Sequence, residues 1–155
     1  MQSSTFRRPR LLCVWVVLAG GSSLAVGAAP AIPDPCKLIT VAEIQQIVGP
    51  LDGAPKPTDP ASGEIRCSYR PAKGPSYIDI SLHEGELSYV KARNGGKNPV
   101  SLPEFGNGAF VNPDADGSAD LYAKKGNLIL EVSLPKGPAA VDTAKAIAKK
   151  ALARL

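Results

Sequence analysis

An Asp-rich segment between residues 112 and 120 has the residue spacing that comes closest to a known binding chemistry. Five of its residues fall on positions one, three, five, six and nine of a calcium-binding loop, namely Asn112, Asp114, Asp116, Gly117 and Asp120. Position twelve, where such a loop needs a bidentate Glu, is Ala123. Asp and Gly also favour tight turns for reasons of their own. We therefore interpret the segment as a hairpin loop and leave calcium binding open as the alternative.

His83 is the only histidine in the chain, so a Ser–His–Asp triad would have to use it. It ends a strand-like segment, on the face opposite Ile78, Ile80 and Leu82, and we expect its side chain to be exposed. The sequence contains no Gly-x-Ser-x-Gly motif. The short segment 106–108, Gly-Asn-Gly, lacks the third glycine of a dinucleotide fingerprint. We therefore predict no catalytic residue, no cofactor and no metal centre.

The N-terminal segment has the pattern of a secretory signal peptide. Arg7, Arg8 and Arg10 precede an apolar run over 11–19, and small residues follow up to Ala28. A basic start, a short apolar middle and a small-residue exit are typical of an export signal. The run is too short and too interrupted by Gly and Ser to favour a membrane anchor. We predict cleavage after Ala28 or one residue later, and a periplasmic or secreted product with no stable membrane span.

Length and composition are those of one globular domain. The chain has 155 residues, of which 44% are hydrophobic and 21% charged, and these values exclude a disordered chain and a coiled coil. Its 15 Gly and 15 Pro residues indicate many turns and short elements. We therefore predict a signal peptide over residues 1–28 and a single exported domain over residues 29–155.

Export changes the charge of the protein. The whole chain carries +4, with 18 Lys and Arg residues against 14 Asp and Glu. Removing residues 1–28 removes three arginines and no acid, so 18 − 3 = 15 basic residues remain against 14 acidic ones. Aromatic residues make up only 5% of the chain. Because nucleic-acid binding calls for a basic footprint and stacking aromatics, we exclude nucleic acid as a partner.

Two cysteines, Cys36 and Cys67, remain after the predicted cleavage. In an oxidising compartment such a pair usually forms a disulfide, and closing a loop of about 32 residues is worth roughly 3–4 kcal/mol in the chain-entropy model. A reactive thiol or a metal site is the alternative, which the single histidine and the absence of Cys-x-x-Cys disfavour. Neither Cys13, inside the apolar run, nor Cys36 has the usual neighbours of a lipid-attachment cysteine.

The first half of the domain contains one helix signal and two strand signals. Thr40 and Glu43 have the spacing of a capping box, which predicts a short amphipathic helix over 41–48 that ends at Gly49-Pro50. Residues 50–63, with four Pro and two Gly, are interpreted as a loop. Residues 64–70 and 76–83 alternate apolar and polar side chains and predict a β-hairpin.

The second half predicts more strands and the longest helix. A weaker helix signal covers 86–93, and a tight loop leads into a strand at 109–111. Residues 120–124 and 127–134 flank Lys125-Gly126, a hairpin signal. Residues 138–154 have an Ala-rich apolar stripe and predict a helix. We therefore predict an α+β fold, with an antiparallel sheet of about five strands and the short N-terminal and longer C-terminal helices packed on it.

Several short motifs together resemble a known family. They are Asp-Pro-Cys-Lys-Leu-Ile-Thr-x-x-Glu-Ile from residue 34, Cys-Ser-Tyr from residue 67, and Leu-Pro-Glu-Phe-Gly-Asn-Gly-Ala-Phe from residue 102, before an Ala-rich end. In this order they resemble the small exported proteins of domain-of-unknown-function family 3558, many of them actinobacterial lipoproteins, over about residues 34–154. The resemblance implies an exported single domain and supplies no catalytic residue.

Two classes of function remain. The first is a non-catalytic binding or accessory domain of the cell envelope, whose partner is an unknown envelope protein or ligand. Its candidate contact surface is the pair of Gly-rich loops over 103–108 and 113–120, because loops on a rigid scaffold often carry recognition. The candidate binding residues in these loops are Phe105, Asp114, Asp116 and Asp120. The second is an envelope hydrolase that uses scattered carboxylates. It would require two or more of Asp114, Asp116, Asp120, Glu104 and His83 to meet in one pocket.

Overall fold

Seven antiparallel strands form one sheet in the computed structural model of this chain, which describes residues 32–58, 64–93, 98–113, 116–137 and 139–155. The strands are β1 (Lys56–Thr58), β2 (Ile65–Tyr69), β3 (Ile78–Glu84), β4 (Val100–Ser101), β5 (Phe110–Pro113), β6 (Ala119–Lys125) and β7 (Leu128–Leu134). The helices of this part are α1 (Val41–Val48), α2 (Leu87–Arg93) and α3 (Ala140–Leu152), with 3-10 turns at Pro35–Lys37 and Pro103–Phe105. The predicted signal peptide and its cleavage site lie outside the described residues, which all belong to one unit, Ala31–Leu155.

The strands lie in the order β1-β2-β3-β7-β6-β5-β4. Both predicted hairpins are confirmed, because β2 pairs with β3 and β6 pairs with β7. Gly126 has a φ of 62° in the second hairpin, a backbone conformation that glycine adopts without steric cost. The pairing of β3 with β7 joins the two halves of the sheet across a long sequence separation.

The α+β class is confirmed, but the expected number of about five strands is too low. Strand β1 lies inside the predicted loop over 50–63, and β4 has only two residues. Both are edge strands with exposed side chains, so their sequences show no apolar alternation. They are held in the sheet by backbone pairing with β2 and β5. Helix α1 is confirmed at its predicted bounds, whereas α3 begins and ends two residues inside its predicted range.

The main core lies between one face of the sheet and helices α1 and α3. We call this the core face. Strand residues Ile80 and Leu82 and the α3 residues Ala144 and Ile147 are all fully buried in it. Alanine at most of the buried α3 positions lets the helix lie close to β6 and β7. None of the helices in the described part has the length and apolar composition needed to cross a membrane.

The predicted disulfide between Cys36 and Cys67 is confirmed, with an S–S distance of 2.00 Å. It joins the first 3-10 turn to β2. The carboxylate of Asp34 accepts a hydrogen bond of 2.9 Å from the Cys36 amide, and the Tyr69 hydroxyl donates to the carbonyl of Ile39 at 3.4 Å. The segment before α1 is therefore held to the sheet by the disulfide and by the Tyr69 hydrogen bond, while the Asp34 bond stabilises the turn itself.

The opposite side of the sheet, the outer face, is partly covered by α2. Leu87 of this helix packs in a small buried cluster with Phe110, Tyr122 and Ile129, and Val90 packs against the same cluster. The rings of Phe110 and Tyr122 stack with their centroids 5.0 Å apart. The weak helix signal over 86–93 is therefore a third helix that packs on the face which the predicted fold left uncovered.

Candidate ligand-binding site on the outer face

Strand alternation places a set of polar side chains on the outer face. Successive residues of a strand point to opposite faces, so the strands that bury aliphatic residues on the core face carry their polar residues on the other. The register aligns these residues in rows across β2, β3, β7, β6 and β5. One row contains Arg66, Ser81, Glu131, Tyr122 and Phe110, and the next contains Ser68, Asp79, Ser133, Asp120 and Asn112.

Arg66 connects the acidic groups at the β2 end of these rows. Its guanidinium lies 3.0 Å from the carboxylate of Glu64 and 3.5 Å from that of Asp79, and its Nε donates to the Ser81 hydroxyl at 3.3 Å. Burial opposes ionisation of Glu64, but hydrogen bonds from Ser81 and Arg66 outweigh it and lower the pKa of this carboxyl. Glu64 is therefore a fixed anion at neutral pH.

A cleft of about 660 Å³ lies between the outer face and α2. Its floor is formed by strand residues, and its walls by α2 and the turn that precedes it. The cleft-lining residues are Ile32, Glu64, His83, Glu84, Gly85, Glu86, Tyr89, Val90, Arg93, Tyr122, Ile129 and Glu131. We refer to this space as the cleft.

Glu131 is a half-buried carboxyl on the floor of the cleft. The Tyr122 hydroxyl donates to its Oε1 at 3.1 Å, and the Ser133 hydroxyl lies 3.1 Å from the same atom. Burial raises the pKa of Glu131 and the nearby charges of Glu64 and Asp120 add to the rise, while the two hydrogen bonds oppose it. Within the described part of the chain, no cationic group lies within ion-pair distance of this carboxyl.

His83 is not exposed as expected, and this is a correction to the sequence analysis. Its side chain is half-buried in the cleft, and its Nδ1 atom is buried without a hydrogen-bond partner among the described residues. Burial lowers the pKa of the imidazole, against the opposing charge of Glu64, so the ring is neutral at pH 7. Alternation predicted the correct face, but it could not show that α2 and its preceding turn fold back over that face.

The other candidate residues do not join His83. Phe105 packs against the main core, and Glu104 lies 3.3 Å from Lys145 of α3. Asp120 lies on the outer face 2.7 Å from the Ser133 hydroxyl, outside the cleft lining. Asp114 lies outside the described residues. Of the five groups that a carboxylate hydrolase would have brought together, the described part places only His83 in the cleft.

The described residues of the two candidate loops lie at opposite ends of β5. The loop 103–108 precedes this strand and the loop that contains Asp116 follows it. The roles of Phe105, Asp116 and Asp120 in partner binding stay predictions.

The hairpin interpretation of the Asp-rich segment is confirmed. Asn112 and Asp120 stand opposite each other in the β5–β6 ladder, and the Asp116 carboxylate accepts hydrogen bonds from the amide and hydroxyl of Ser118 at 3.0 and 2.8 Å. No cluster of three or more His, Cys, Asp or Glu side chains suited to a metal occurs in the described ranges. Calcium binding is not tested by these residues alone, because Asp114 lies outside them.

Sequence reasoning missed most of the cleft. Glu64, Tyr122 and Glu131 stood at polar positions of predicted strands, where they look like ordinary solvent-facing residues. The available signal was the weak helix over 86–93, because a helix of a small domain must pack its apolar side against another element. Its outward residue Tyr89 is 64% exposed at the rim.

Together these features define a single α+β unit with a polar cleft on the side of the sheet away from its main core. Comparison with protein-family models, curated proteins and solved structures finds no match to this chain. The resemblance to domain-of-unknown-function family 3558 stays a prediction that no comparison tests.

Proposed function

We propose that this chain is an exported, non-catalytic binding domain of the cell envelope and that its ligand occupies the cleft. The observation that carries the proposal is the make-up of the cleft, which places hydrogen-bond acceptors such as Glu131 and His83 beside the apolar and aromatic surface of Val90 and Tyr89. Small-molecule sites combine these two kinds of surface in volumes of roughly 300–1,000 Å³, and about 660 Å³ lies within that range.

Binding is favoured over catalysis by the side chains that line the cleft. Among the described residues, no Ser, Thr, Cys or Lys lines it. The Ser81 hydroxyl, which lies nearby on β3, is almost fully buried and accepts a hydrogen bond from Arg66. Nucleophilic catalysis with such residues needs an accessible nucleophile beside a base.

Export is supported by two independent features. The N-terminal segment has the basic, apolar and small-residue order of a signal peptide. The Cys36–Cys67 disulfide is of a kind that forms and persists in oxidising compartments and is rare in the cytosol.

A carboxylate hydrolase is the second candidate, and one observation favours it. Glu64 and Glu131 line the same cleft, and their environments move their pKa values in opposite directions. Such pairs often supply the base and the acid of a reaction. The test is incubation of the exported protein with envelope glycan and peptide fragments. Turnover that Glu131→Gln abolishes would establish the hydrolase and overturn the binding proposal.

Two exposed tyrosines provide a matched test of binding. Tyr89 lines the cleft, whereas Tyr77 is 44% exposed just before β3 and lies outside the cleft lining. The untagged exported protein and its Tyr89→Ala and Tyr77→Ala variants would be equilibrated with envelope extract, and the bound molecules identified by native mass spectrometry. We expect Tyr89→Ala alone to lower the bound fraction several-fold at an unchanged melting temperature. Equal retention by all three proteins, or no retained molecule, would overturn the proposal.

A further inference from the structure

The cleft carries more negative than positive charge. Four of its lining residues are glutamates, and Arg93 is the one permanent cation that lines it among the described residues. Two of the glutamates, Glu64 and Glu86, form ion pairs with cations that are not part of the lining. The charge excess is therefore concentrated on the other two.

Glu84 and Glu131 have neutral partners only. The Asn127 amide donates to Glu84 at 2.8 Å, and Glu131 is bonded through the hydroxyls of Tyr122 and Ser133. Neither carboxyl has a cation within ion-pair distance in the described part of the chain. Partly buried carboxylates are normally paired with a cation. Glu84 is exposed to solvent, so Glu131 is the carboxylate that lacks such a partner among the described residues.

His83 supplies a second and independent observation. Its Nδ1 is buried without a hydrogen-bond partner in the described residues, and buried polar atoms without a partner are rare and costly. The imidazole, Glu84 and Glu131 all line the same cleft. A cationic hydrogen-bond donor in the cleft would give Glu131 the partner that it lacks and would lie near the imidazole.

Tyr89 and Val90 restrict the kind of cation. The Arg93 guanidinium lies 5.8 Å from the centroid of the Tyr89 ring, so this ring already attracts an organic cation. Val90 and Ile129 add aliphatic surface. Bare metal ions prefer several converging carboxylates, imidazoles or thiolates, and the described residues contain no such cluster.

We infer that the cleft binds a protonated primary amine on an apolar stem, such as a lysine side chain or an alkyl diamine. The ammonium group pairs with Glu131, a diagonal neighbour of His83 on the outer face, and the stem lies against Val90 and the Tyr89 ring. This inference rests on the proposed binding function and adds the chemical class of the ligand to it.

The chain offers a direct reporter for this inference, because His83 is its only histidine. The imidazole C–H signals of the untagged exported protein would be followed by NMR at pH 7 while 1,5-diaminopentane is added, with 1,5-pentanediol as the neutral probe of equal stem length. We expect a saturable shift with the diamine and at least tenfold weaker binding of the diol.

Variants locate the site. Glu131→Gln should weaken diamine binding several-fold at an unchanged fold, checked by circular dichroism. Asp52→Asn, which removes an exposed carboxylate outside the cleft lining, should leave it unchanged. Equal effects of Glu131→Gln and Asp52→Asn would place the amine elsewhere on the surface and overturn the inference.

The two proposals fail in different ways. If an envelope molecule is retained in a Tyr89-dependent manner but the diamine binds no better than the diol, the amine class is wrong and the binding function stands. If neither an envelope molecule nor the diamine binds, both are overturned.

Discussion

The guanidinium of Arg154 forms two hydrogen bonds with the carboxylate of Glu43, at 2.8 and 2.9 Å, across 111 residues of sequence. The same arginine donates to the carbonyl of Leu38 at 2.6 Å. Glu43 is also part of the predicted capping box, which is confirmed by its 3.0 Å bond from the Thr40 amide. The Glu43 carboxylate thus caps the N-terminus of α1 and also connects this helix to the residues that follow α3.

Loss of this ion pair should make the protein less stable in a pH-dependent way. Hydrogen bonds from Arg154 and Thr40 hold the pKa of Glu43 far below its ordinary value of 4.5. Because the carboxyl ionises more readily in the folded protein than in the unfolded chain, it adds to the free energy of unfolding at pH values above 4.5. This contribution is lost as the pH falls through the lowered pKa. We expect Glu43→Gln, which can still cap the helix, to melt below the wild type at pH 7, with the difference shrinking on acidification.

A double-mutant cycle checks the partner. Arg154→Ala should lower the melting temperature less in the Glu43→Gln background than in the wild type. The difference between these two effects is the coupling of the pair, and it should become smaller in high salt. Thermal melting of the four proteins measures this. Additive effects would mean that the two side chains do not support each other in solution.

Removal of the disulfide should destabilise the domain strongly. The bond closes a loop with a sequence separation of 31, which corresponds to about 3–4 kcal/mol and to a decrease in melting temperature of roughly 10 °C or more. The measurement compares the wild type with Cys36→Ala/Cys67→Ala. Two free thiols in the unreduced, unfolded wild type would show that the bond does not form.

Replacement of Glu131 by Gln should stabilise the protein at higher pH. Burial raises the pKa of Glu131, so the folded protein gives up this proton less readily than the unfolded chain. The wild type therefore loses stability as the pH rises from 4.5 through the raised pKa, while the glutamine variant does not. Melting curves at pH 4 and pH 8 should show a gain for Glu131→Gln that is larger at pH 8. A gain that is the same at both values would contradict the raised pKa.

His83 should titrate below its ordinary pKa of 6.5, because burial disfavours the charged ring. The folded protein holds the ring in its neutral form more strongly than the unfolded chain does, and this adds to the free energy of unfolding above pH 6.5. The contribution is lost as the pH falls through the lowered pKa. An NMR titration of the single imidazole measures the shift directly. Titration at or above 6.5 would mean that the ring is solvated and would contradict its position in the cleft.

The exported protein should begin near Ala29. The expectation follows from the small residues that end the predicted signal peptide. N-terminal sequencing of the protein recovered from the periplasm or medium checks it. An intact first residue in a membrane fraction would contradict both the cleavage and the predicted location.

Elements with strong local patterns were predictable. The capping box of α1, the alternation in β2 and β3, and the Lys-Gly turn between β6 and β7 each depend on residues close in sequence. The edge strands β1 and β4 were not, because Lys56–Thr58 and Val100–Ser101 bury no side chain and owe their structure to a neighbouring strand.

The amino-acid sequence by itself determined the class of fold, the disulfide partners and the faces on which the residues of β2, β3 and β7 lie. Helix caps, cysteine number and period-two alternation are properties that neighbouring residues or simple counts reveal. Only the tertiary structure decided that β3 pairs with β7 and that α2 covers the outer face. These two contacts bring His83 of β3 and Glu131 of β7 into one cleft under Tyr89 of α2. The physical reason is that burial and charge proximity arise between residues far apart in the chain, and here they bring three apparently solvent-facing side chains into one cleft.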